Sequence, residues 1–434
     1  MGRHRRVADL SRHMTDLHVE GPDALDVFAD LGTNDFDGFE PGQAKQFVAC
    51  SPDGYLIGDG ILFHLDDEEF TLVGYGPINW VQYHLETGDY DATVERDEHG
   101  GIREGPPKSF RYQVQGPDAV ALITEVADEP LPEIPFFNFR EVSVAGHGSN
   151  PLRHGMMNEP GFEFVGPWEL ADDVRSAPME TGRDYDIRRI GGKAYPTNVI
   201  TAAWMSIPLP AIYHDGMEAY REWLDAASFE GALAIGGSLD SADITDHDLT
   251  PFEAGHGRFV DFDHEFVGPK ALAAETDTVG YRPVTDFDTL GCRKPSRTYS
   301  QQYENPDRER VTLVWDSDDV RDLYRSAFED GDTYRYTDLP VPEWALTQND
   351  KVLKGGDPVG IACNTRYLYW EERMFSLCAI DTDLAEPGTE VEIPRGDPDS
   401  GNPRVEDHVR KHVSATVAPA PYFEDKRKTA DYSV

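Results

Sequence analysis

The stretch LHVEGPDALDVFADL, residues 17–31, decides the fold because its pattern occurs twice in the chain. It begins with strand-forming residues, turns at Gly-Pro-Asp and continues with apolar residues at helical spacing, and Asp23 stands where a helix N-cap is expected. The stretch YQVQGPDAVALITEV, residues 112–126, repeats this order. The repeat predicts two similarly built α+β subdomains.

The segments around this repeat extend the α+β pattern. Residues 55–63 and 70–73 have strand patterning and are joined by an acidic turn at 65–69, which predicts a hairpin. Residues 77–86 and 216–227 place apolar side chains on one helical face, which predicts two core helices.

The C-terminal part of the chain has a different pattern. Short β-rich segments at 311–315, 358–363, 375–380 and 389–393 are bounded by Gly, Pro or Asp turns. This spacing predicts a small antiparallel barrel or sandwich. A polar, weakly periodic stretch from about residue 275 to residue 310 precedes these segments and is interpreted as an insertion or linker.

The net charge of the chain indicates high salt in its surroundings rather than a charged binding partner. Its 434 residues include 39 Lys and Arg against 81 Asp and Glu, a formal net charge of −42. Acidic runs such as residues 66–69 and 172–173 are spread along the sequence, which is typical of a solvated acidic shell. Self-repulsion of this size is tolerable in molar salt, where the Debye length falls to ~3 Å. The sequence has no basic stripe, so no nucleic-acid partner is expected.

Other classes of protein are excluded by what the sequence lacks. No stretch approaches the ~18 apolar residues of a membrane helix, and the first residues lack a signal-peptide core, so we expect a cytoplasmic protein without a membrane partner. No C-x-x-C pair is present, which argues against a zinc site and a disulfide framework. His and Asp at 246–248 and 261–264 are usual in charge-rich loops, so no metal is assigned. The four cysteines are Cys50, Cys292, Cys363 and Cys378.

Several segments resemble the folate-binding aminomethyltransferase superfamily, whose best-known member is the T-protein of glycine cleavage. The similar segments are residues 8–14 (ADLSRHM), 19–25 (VEGPDAL), 258–272, 355–361, 388–391 and 418–422. They span nearly the whole chain in the order that the family has. The resemblance implies a three-domain α+β architecture and tetrahydrofolate as the cofactor.

On this resemblance the chain divides into three parts. The folate-binding region spans residues 1–275 as two intertwined α+β subdomains, approximately 1–109 with 214–275, and 110–213. The insertion or linker covers residues 276–310, and a C-terminal antiparallel β-barrel covers residues 311–425.

Within the superfamily the chain is more similar to tetrahydrofolate-dependent O-demethylases that act on vanillate-type methoxyarenes. Six shared phrases carry this likeness, at residues 44–48 (AKQFV), 57–61 (IGDGI), 152–156 (LRHGM), 194–198 (AYPTN), 208–213 (PLPAIY) and 234–238 (AIGGS). The likeness implies a small-molecule methyl donor and transfer of its methyl group to tetrahydrofolate.

The chain departs from that group in two places. The family usually carries a further segment ahead of the first strand, with an aromatic residue that lines the site. A longer natural N-terminus and a missing front wall of the pocket are the two interpretations. Tyr75, in VGYGP at 73–77, stands where vanillate-type enzymes have an arginine that holds the substrate carboxylate. A benzoate-like donor is therefore not the expected one.

The chemistry and the resemblance together select two residues. Methyl transfer from an ether requires a proton for the leaving oxygen, and Tyr195 is the candidate acid because a phenol of pKa ~10 is protonated at neutral pH. A tyrosine that caps a core is the alternative, and the resemblance favours the acid. Glu163, in PGFEF at 160–164, matches the family glutamate that binds the pterin. A carboxylate suits the adjacent N–H donors of a pterin edge.

The resemblance implies further site residues. Asp59 lies between two glycines, where close backbone approach is expected, and an aspartate of this segment helps to activate the folate amine in the T-protein group. A turn or bulge aspartate is the open alternative. The resemblance places two residues at the cofactor: Trp204, as an aromatic wall, and Val73. It places two others near the substrate: His13 and Tyr75. For His13, a purely structural histidine is the alternative.

Two other functions stay open beside the predicted one-carbon transfer from a small donor to tetrahydrofolate. The first is an aminomethyltransferase of the glycine-cleavage type, which would need a lipoyl carrier protein. The second is a non-catalytic folate-binding protein, like superfamily members that assist iron–sulfur assembly, although the reactive cysteine motif of those proteins is absent from this sequence.

Overall fold

The computed structural model describes residues 6–192, 195–206, 208–277, 308–321, 346–396 and 410–428. The N-terminal half contains β1 (Arg6–Asp9), β2 (Thr15–Glu20), α1 (Ala24–Leu31), β3 (Gln43–Cys50), β4 (Leu56–Asp66), β5 (Glu69–Gly74), α2 (Gly76–Thr87), β6 (Thr93–Asp97), β7 (Ser109–Gln115), α3 (Ala119–Val126), β8 (Val142–Val144), β9 (His147–Arg153), β10 (Gly161–Pro167), α4 (Ala171–Thr181) and β11 (Arg188–Ile190). The remainder contains α5 (Thr197–Ala202), α6 (Glu218–Trp223), α7 (Phe229–Ala232), β12 (Ala234–Gly236), α8 (Pro269–Asp277), β13 (Arg308–Trp315), β14 (Leu346–Gln348), β15 (Asp350–Lys354), β16 (Asp357–Leu368), β17 (Arg373–Asp381), β18 (Glu390–Arg395) and β19 (Lys411–Ala418).

The first sheet has five antiparallel strands in the order β3-β4-β5-β2-β6. α1 and α2 pack on it, and Val27, Phe28 and Leu31 of α1 are almost fully buried in one core with Leu62 of β4. Each such side chain contributes roughly 1.5–3 kcal/mol by leaving water. The predicted hairpin is confirmed as β4 and β5, and the predicted helix at 77–86 is confirmed as α2.

The second sheet has six strands in the order β11-β1-β7-β10-β9-β8. α3 and α4 pack on it through Val120, Ile123 and Val174. The predicted repeat is confirmed, since β2 leads through Gly-Pro-Asp into α1 and β7 leads through Gly-Pro-Asp into α3. The mixed α+β class predicted from this repeat is therefore the observed one.

The two Gly-Pro-Asp turns share a backbone conformation that glycine favours. Gly21 has a φ of +146° and Gly116 a φ of +136°. A Cβ atom on Gly21 would lie 2.5 Å from the carbonyl oxygen of Asp91. Asp23 is the N-cap residue of α1, as predicted, but its carboxylate makes no hydrogen bond to the helix and instead accepts the backbone N–H of Asp91 at 2.8 Å.

β1 belongs to the second sheet, although the next strand along the chain belongs to the first. It lies within the range 1–109 predicted for the first subdomain, yet it pairs antiparallel with β7 and parallel with β11 in the second sheet. The described chain therefore passes from the second sheet, in β1, to the first sheet, in β2. The predicted division of the chain at residues 109, 213 and 275 stays a prediction.

The C-terminal strands form a closed antiparallel barrel rather than a sandwich, in the order β13-β17-β16-β15-β18-β19. β13 pairs with β19 and closes the ring. α5 packs on this barrel, where Ile200 and Met205 share one core with Phe375 and Leu377. The barrel thus supports the segment that follows Tyr195.

Two predicted boundaries differ from the structure. The helix predicted at 216–227 is shorter, because Leu224 is extended and α6 ends at Trp223. The linker predicted from residue 275 begins in helix, since α8 runs to Asp277; residues 278–307 lie outside the described residues. No helix among the described residues is long and apolar enough to cross a membrane.

Candidate functional site

β7 separates a core face from a polar face. Its residues 110, 112 and 114 belong to the apolar core beneath the second sheet. Side chains alternate along a strand, so Arg111, Gln113 and Gln115 lie on the opposite face. All three are buried, with 4%, 1% and 2% exposure. A central strand thus carries a row of buried polar groups, which need partners from the protein or from a ligand.

Arg111 joins the two sheets through an ion network. Its Nη1 lies 2.7 Å from Oε1 of Glu163 on β10, and its Nη2 lies 3.2 Å from Oδ2 of Asp16 on β2. Its guanidinium also lies 5.5 Å from the ring centroid of Phe63. Burial lowers the pKa of Arg111, but the charges of Asp16 and Glu163 more than offset this and raise it overall. Glu163, predicted to bind the cofactor, is therefore held as one member of a buried charged triad.

Gln113 is the neighbour that the sequence analysis missed. It stands directly opposite Glu163 in the register of β7 and β10. Neither its amide nitrogen nor its amide oxygen has a hydrogen-bond partner among the described residues. A buried unpaired amide costs about 1–3 kcal/mol, so the site is arranged for a group that both accepts and donates. The alternation of apolar and polar residues along 110–115 is the sequence pattern that could have indicated a polar face with Gln113 on it.

Three predicted site residues meet in an aromatic cluster. The ring of His13 makes edge contacts with Tyr195 at 5.7 Å and with Tyr75 at 6.1 Å between centroids. The hydroxyl of Tyr75 donates to the backbone carbonyl of His13. The ring of Tyr75 stacks on Phe229 at 5.1 Å. The structure therefore places His13 against the candidate acid and Tyr75 against His13.

The titrating groups of this cluster are neutral at pH 7. Burial, with a contribution from His99, lowers the pKa of His13. Burial raises the pKa of Tyr75 to about 12. Burial, the charge of Glu163 and the proximity of Tyr75 raise the pKa of Tyr195, against the opposing charge of Arg111. Tyr195 thus keeps its proton, and its hydroxyl is within electrostatic reach of Glu163.

Asp59 lies on β4, and neutral hydrogen-bond donors hold its carboxylate. Its Oδ2 accepts from the indole N–H of Trp204 at 2.7 Å and from the amide of Gln46. Its Oδ1 is buried and has no hydrogen-bond partner among the described residues. Burial raises the pKa of Asp59 to about 7, against the two hydrogen bonds, which lower it. A carboxyl with this pKa exchanges a proton near neutrality.

Val73 lies in an apolar cluster between the two sheets. It is 3% exposed and packs in one cluster with Phe63, Phe139 and Leu152. In the strand register it stands opposite Asp16, the carboxylate that pairs with Arg111. Its predicted cofactor contact stays a prediction.

The predicted residues thus fall into two groups that one segment connects. Tyr195, His13, Tyr75 and Glu163 form the first, and Asp59 with Trp204 forms the second. The short helix α5 runs from just after Tyr195 to just before Trp204, with Ala203 in the left-handed region at a φ of +51°.

No group of three or more His, Cys, Asp or Glu within the described ranges is arranged to hold a metal ion. Cys50, Cys363 and Cys378 are buried and free, and Cys292 lies outside those ranges.

Comparisons with known proteins agree with this architecture. The family model of the GCVT N-terminal domain matches residues 3–206. The chain is 35% identical over 417 residues to a syringate O-demethylase of Sphingobium sp., a match that covers 95% of this chain and 84% of that protein. It is 25% identical over 426 residues to a sesamin methylene transferase of Sinomonas sp., with the same two coverages of 95% and 84%.

A solved structure shares the fold. The glycine cleavage system aminomethyltransferase T from Bartonella henselae superposes with a TM-score of 0.59 at 17% identity. The match covers 98% of this chain and 87% of that chain.

Proposed function

Because the chain belongs to the GCVT family of folate-dependent one-carbon transferases and is an enzyme of that class, we propose that it transfers a methyl group from a small aryl methyl ether to tetrahydrofolate. The predicted resemblance and the predicted class of enzyme are confirmed by the 35% identity over 95% of the chain. The names of two relatives, a syringate O-demethylase and a sesamin methylene transferase, support an aromatic donor of one carbon.

The observation that carries this proposal is the unpaired amide of Gln113 beside Glu163. Oε1 of Glu163 is fixed by Arg111, and no hydrogen bond from another described residue reaches its Oε2. Glu163 therefore offers a charged acceptor. Gln113, directly opposite it on β7, offers its amide nitrogen as a donor and its amide oxygen as an acceptor. A pterin edge presents adjacent N–H donors and a carbonyl oxygen, which this pair of side chains fits.

The donor is proposed to lie against His13, Tyr75 and Tyr195. The rings of this cluster provide an aromatic surface, and the hydroxyl of Tyr75 already donates to a backbone carbonyl. The hydroxyl of Tyr195 is then the proton source for the leaving oxygen. In water a tyrosine phenolate and an aryl oxide have similar proton affinity. Because the pKa of Tyr195 is raised in this site, its proton moves only as negative charge builds up on the leaving oxygen.

The proposed reaction balances with two protein groups. The ether C–O bond breaks as the methyl carbon bonds to the folate amine nitrogen. Tyr195 gives its proton to the aryl oxide, and Asp59 receives the proton released by the amine. Glu163 and Gln113 would hold tetrahydrofolate, which would supply the nucleophilic amine when bound. Transfer of a proton from Asp59 back to Tyr195, through solvent, restores both groups.

The test is turnover with tetrahydrofolate and a panel of methoxyarenes, with mass detection of methyl- and methylene-folate. The Tyr195→Phe variant should retain folate binding and lose roughly 10²–10⁴-fold in kcat, the usual share of general acid catalysis. Tyr75→Phe is the matched control, because its hydroxyl serves a backbone carbonyl, and it should lose far less. Normal turnover by Tyr195→Phe would remove the acid from the mechanism.

The same experiment separates the alternatives. Methylene-folate formed only with an aminomethyl-loaded lipoyl carrier protein would indicate an aminomethyltransferase. Folate binding without turnover of any donor would indicate a non-catalytic folate-binding protein.

We also propose a cytoplasmic, high-salt habitat. The acidic run at 65–69 and the pair Asp172 and Asp173 are exposed, as a solvated acidic shell requires. Lowering the salt to ~0.1 M should reduce the melting temperature or cause aggregation, because repulsion is then less screened. A melting temperature independent of salt would contradict this proposal.

A further inference from the structure

We propose that His256 is a positioning residue for Asp59, and that its Nε2–H closes onto the unpaired carboxylate oxygen of Asp59 when the site is loaded. This inference rests on the proposed function, since Asp59 is the proton acceptor there. None of the expectations drawn from the sequence included His256.

Two buried, unpaired atoms face each other at this point. Nε2 of His256 lies 3.9 Å from Oδ1 of Asp59, and the side chains are 4% and 1% exposed. Neither atom has a hydrogen-bond partner among the described residues. The separation is too long for a hydrogen bond and exceeds a good one by about 1 Å. Catalytic hydrogen bonds are often this long without ligand and tighten in the productive complex.

The backbone around His256 holds the ring in place. Its N–H donates to the carbonyl of Pro251 at 2.7 Å, and its own carbonyl accepts from Phe259 at 2.8 Å. The preceding Gly255 has a φ of +76°, and a Cβ atom there would lie 2.2 Å from the guanidinium carbon of Arg310. Glycine is therefore required at 255 for Arg310 to pack beside His256.

Arg310 contacts both segments that carry a partner of Asp59, the one with Trp204 and the one with His256. It extends from β13 of the barrel, and its Nη1 donates to the carbonyl of Ala203 at 2.6 Å. Ala203 directly precedes Trp204, whose indole donates to Asp59. The barrel thus fixes Trp204 through a backbone carbonyl and packs against the loop that carries His256.

The charged surroundings keep the imidazole neutral. Burial and the charges of Arg310 and Arg258 lower the pKa of His256 to about 3. The groups facing Asp59 are the neutral donors Gln46 and Trp204 together with this uncharged ring. An uncharged imidazole that donates to Oδ1 stabilises the ionised carboxylate without creating a buried ion pair. Asp59 is then ready to receive a proton near pH 7.

The test is a titration of the Asp59 carboxyl by NMR, at saturating tetrahydrofolate, on protein labelled with ¹³C at aspartate side chains. Asp59→Asn assigns the resonance. His256→Phe keeps a ring but removes the donor, and it should raise the apparent pKa of Asp59 by about one unit. His256→Gln retains an N–H donor and should restore the wild-type value to within a few tenths of a unit. His256→Leu replaces the Phe variant if that protein does not fold.

Asp248 provides an internal control. Its Oδ2 lies 2.8 Å from Nε2 of His214, and burial together with Asp243 raises its pKa to about 8. No change at His256 should move the titration of Asp248.

The pH dependence of turnover gives a second readout. The acid limb of kcat should move with the carboxyl, so His256→Phe should lose roughly fivefold at pH 7 and recover at higher pH. An unchanged Asp59 titration, or an equal rise in the Phe and Gln variants, would overturn the inference. Absence of methyl transfer by the wild type would instead refute the proposed function, and the titration would still decide the role of His256.

Discussion

Two carboxylates enter the candidate site from the two related sheets, and their partners are of opposite kinds. Glu163 on β10 is bound to the guanidinium of Arg111, which also pairs with Asp16. Asp59 on β4 is bound only by neutral donors. Both side chains are buried. The difference shows that the charge of the partner, rather than burial, separates a carboxylate held in an ion pair from a carboxyl with a raised pKa.

The first prediction removes the cation from this comparison. Arg111→Met leaves Asp16 and Glu163 as two buried carboxylates without their partner, which should lower the free energy of unfolding by about 3–5 kcal/mol. Denaturant unfolding in molar salt measures this. Adding Asp16→Asn and Glu163→Gln removes the stranded charges and should recover most of the stability. A loss below about 1 kcal/mol in the single variant would show that the triad is not a buried ionic unit.

The second prediction separates binding from proton transfer. Glu163→Gln should weaken tetrahydrofolate binding by about 2 kcal/mol, roughly 30-fold in Kd, because a charged acceptor becomes neutral. Asp59→Asn should leave the Kd within about threefold while turnover falls, since an amide cannot take a proton. Titration calorimetry measures both. Equal losses of affinity would place the two carboxylates in the same role.

The third prediction uses the pH dependence of stability. Burial raises the pKa of Asp59 from 3.8 to about 7. Between these values the folded protein holds a proton that the unfolded chain has lost, so stability from this group falls as pH rises and levels off above pH 7. Asp59→Asn has no carboxyl to ionise at this position, so the variant does not lose this stability as pH rises. The difference in unfolding free energy, variant minus wild type, should therefore grow by on the order of 2–3 kcal/mol from pH 5 to pH 8.

The result that would contradict this prediction is a difference that stays flat or falls with pH. The comparison with the wild type is essential, because the many other carboxylates of this chain change the stability of both proteins alike.

The fourth prediction weakens one neutral donor at Asp59. Trp204→Phe removes the indole N–H and should raise the pKa of Asp59 by a further half to one unit, about 1 kcal/mol. The same carboxyl titration measures it. Trp223→Phe is the matched control, since the indole of Trp223 donates to Glu86 on the surface. A pKa that falls in Trp204→Phe would mean that the ring shields Asp59 rather than stabilising its charge.

Much of the fold follows from local sequence. The Gly-Pro-Asp repeat specifies two strand–turn–helix units because only glycine readily takes the positive φ that each turn needs. The β-rich composition of the barrel segments and the turns that bound them specify strands, and these signals are also local. Two features are non-local: the pairing of β1 with β7 and β11, and the closure of the barrel by β13 and β19. They depend on hydrogen bonds between residues far apart in the chain, for which a local pattern carries no signal.

The candidate site divides in the same way. The resemblance selected Tyr195, Glu163, Asp59 and Trp204, because these residues stand in motifs, or at site positions, of the resembling family. Arg111, Gln113 and His256 stand in no such motif. Their roles depend on which buried atom each one faces, and that is set by the register of β7 with β10 and by the packing of Arg310 beside Gly255.

The sequence by itself determined the family, the α+β class, the acidic surface and the identity of the candidate acid. The tertiary structure alone decided which carboxylate has a cation as its partner. Residue type fixes the intrinsic chemistry of a side chain, but desolvation and neighbouring charge set its protonation, and both depend on atoms brought together only by folding. Glu163 and Asp59 carry the same group in the sequence, and the fold places Arg111 beside one and two neutral donors beside the other.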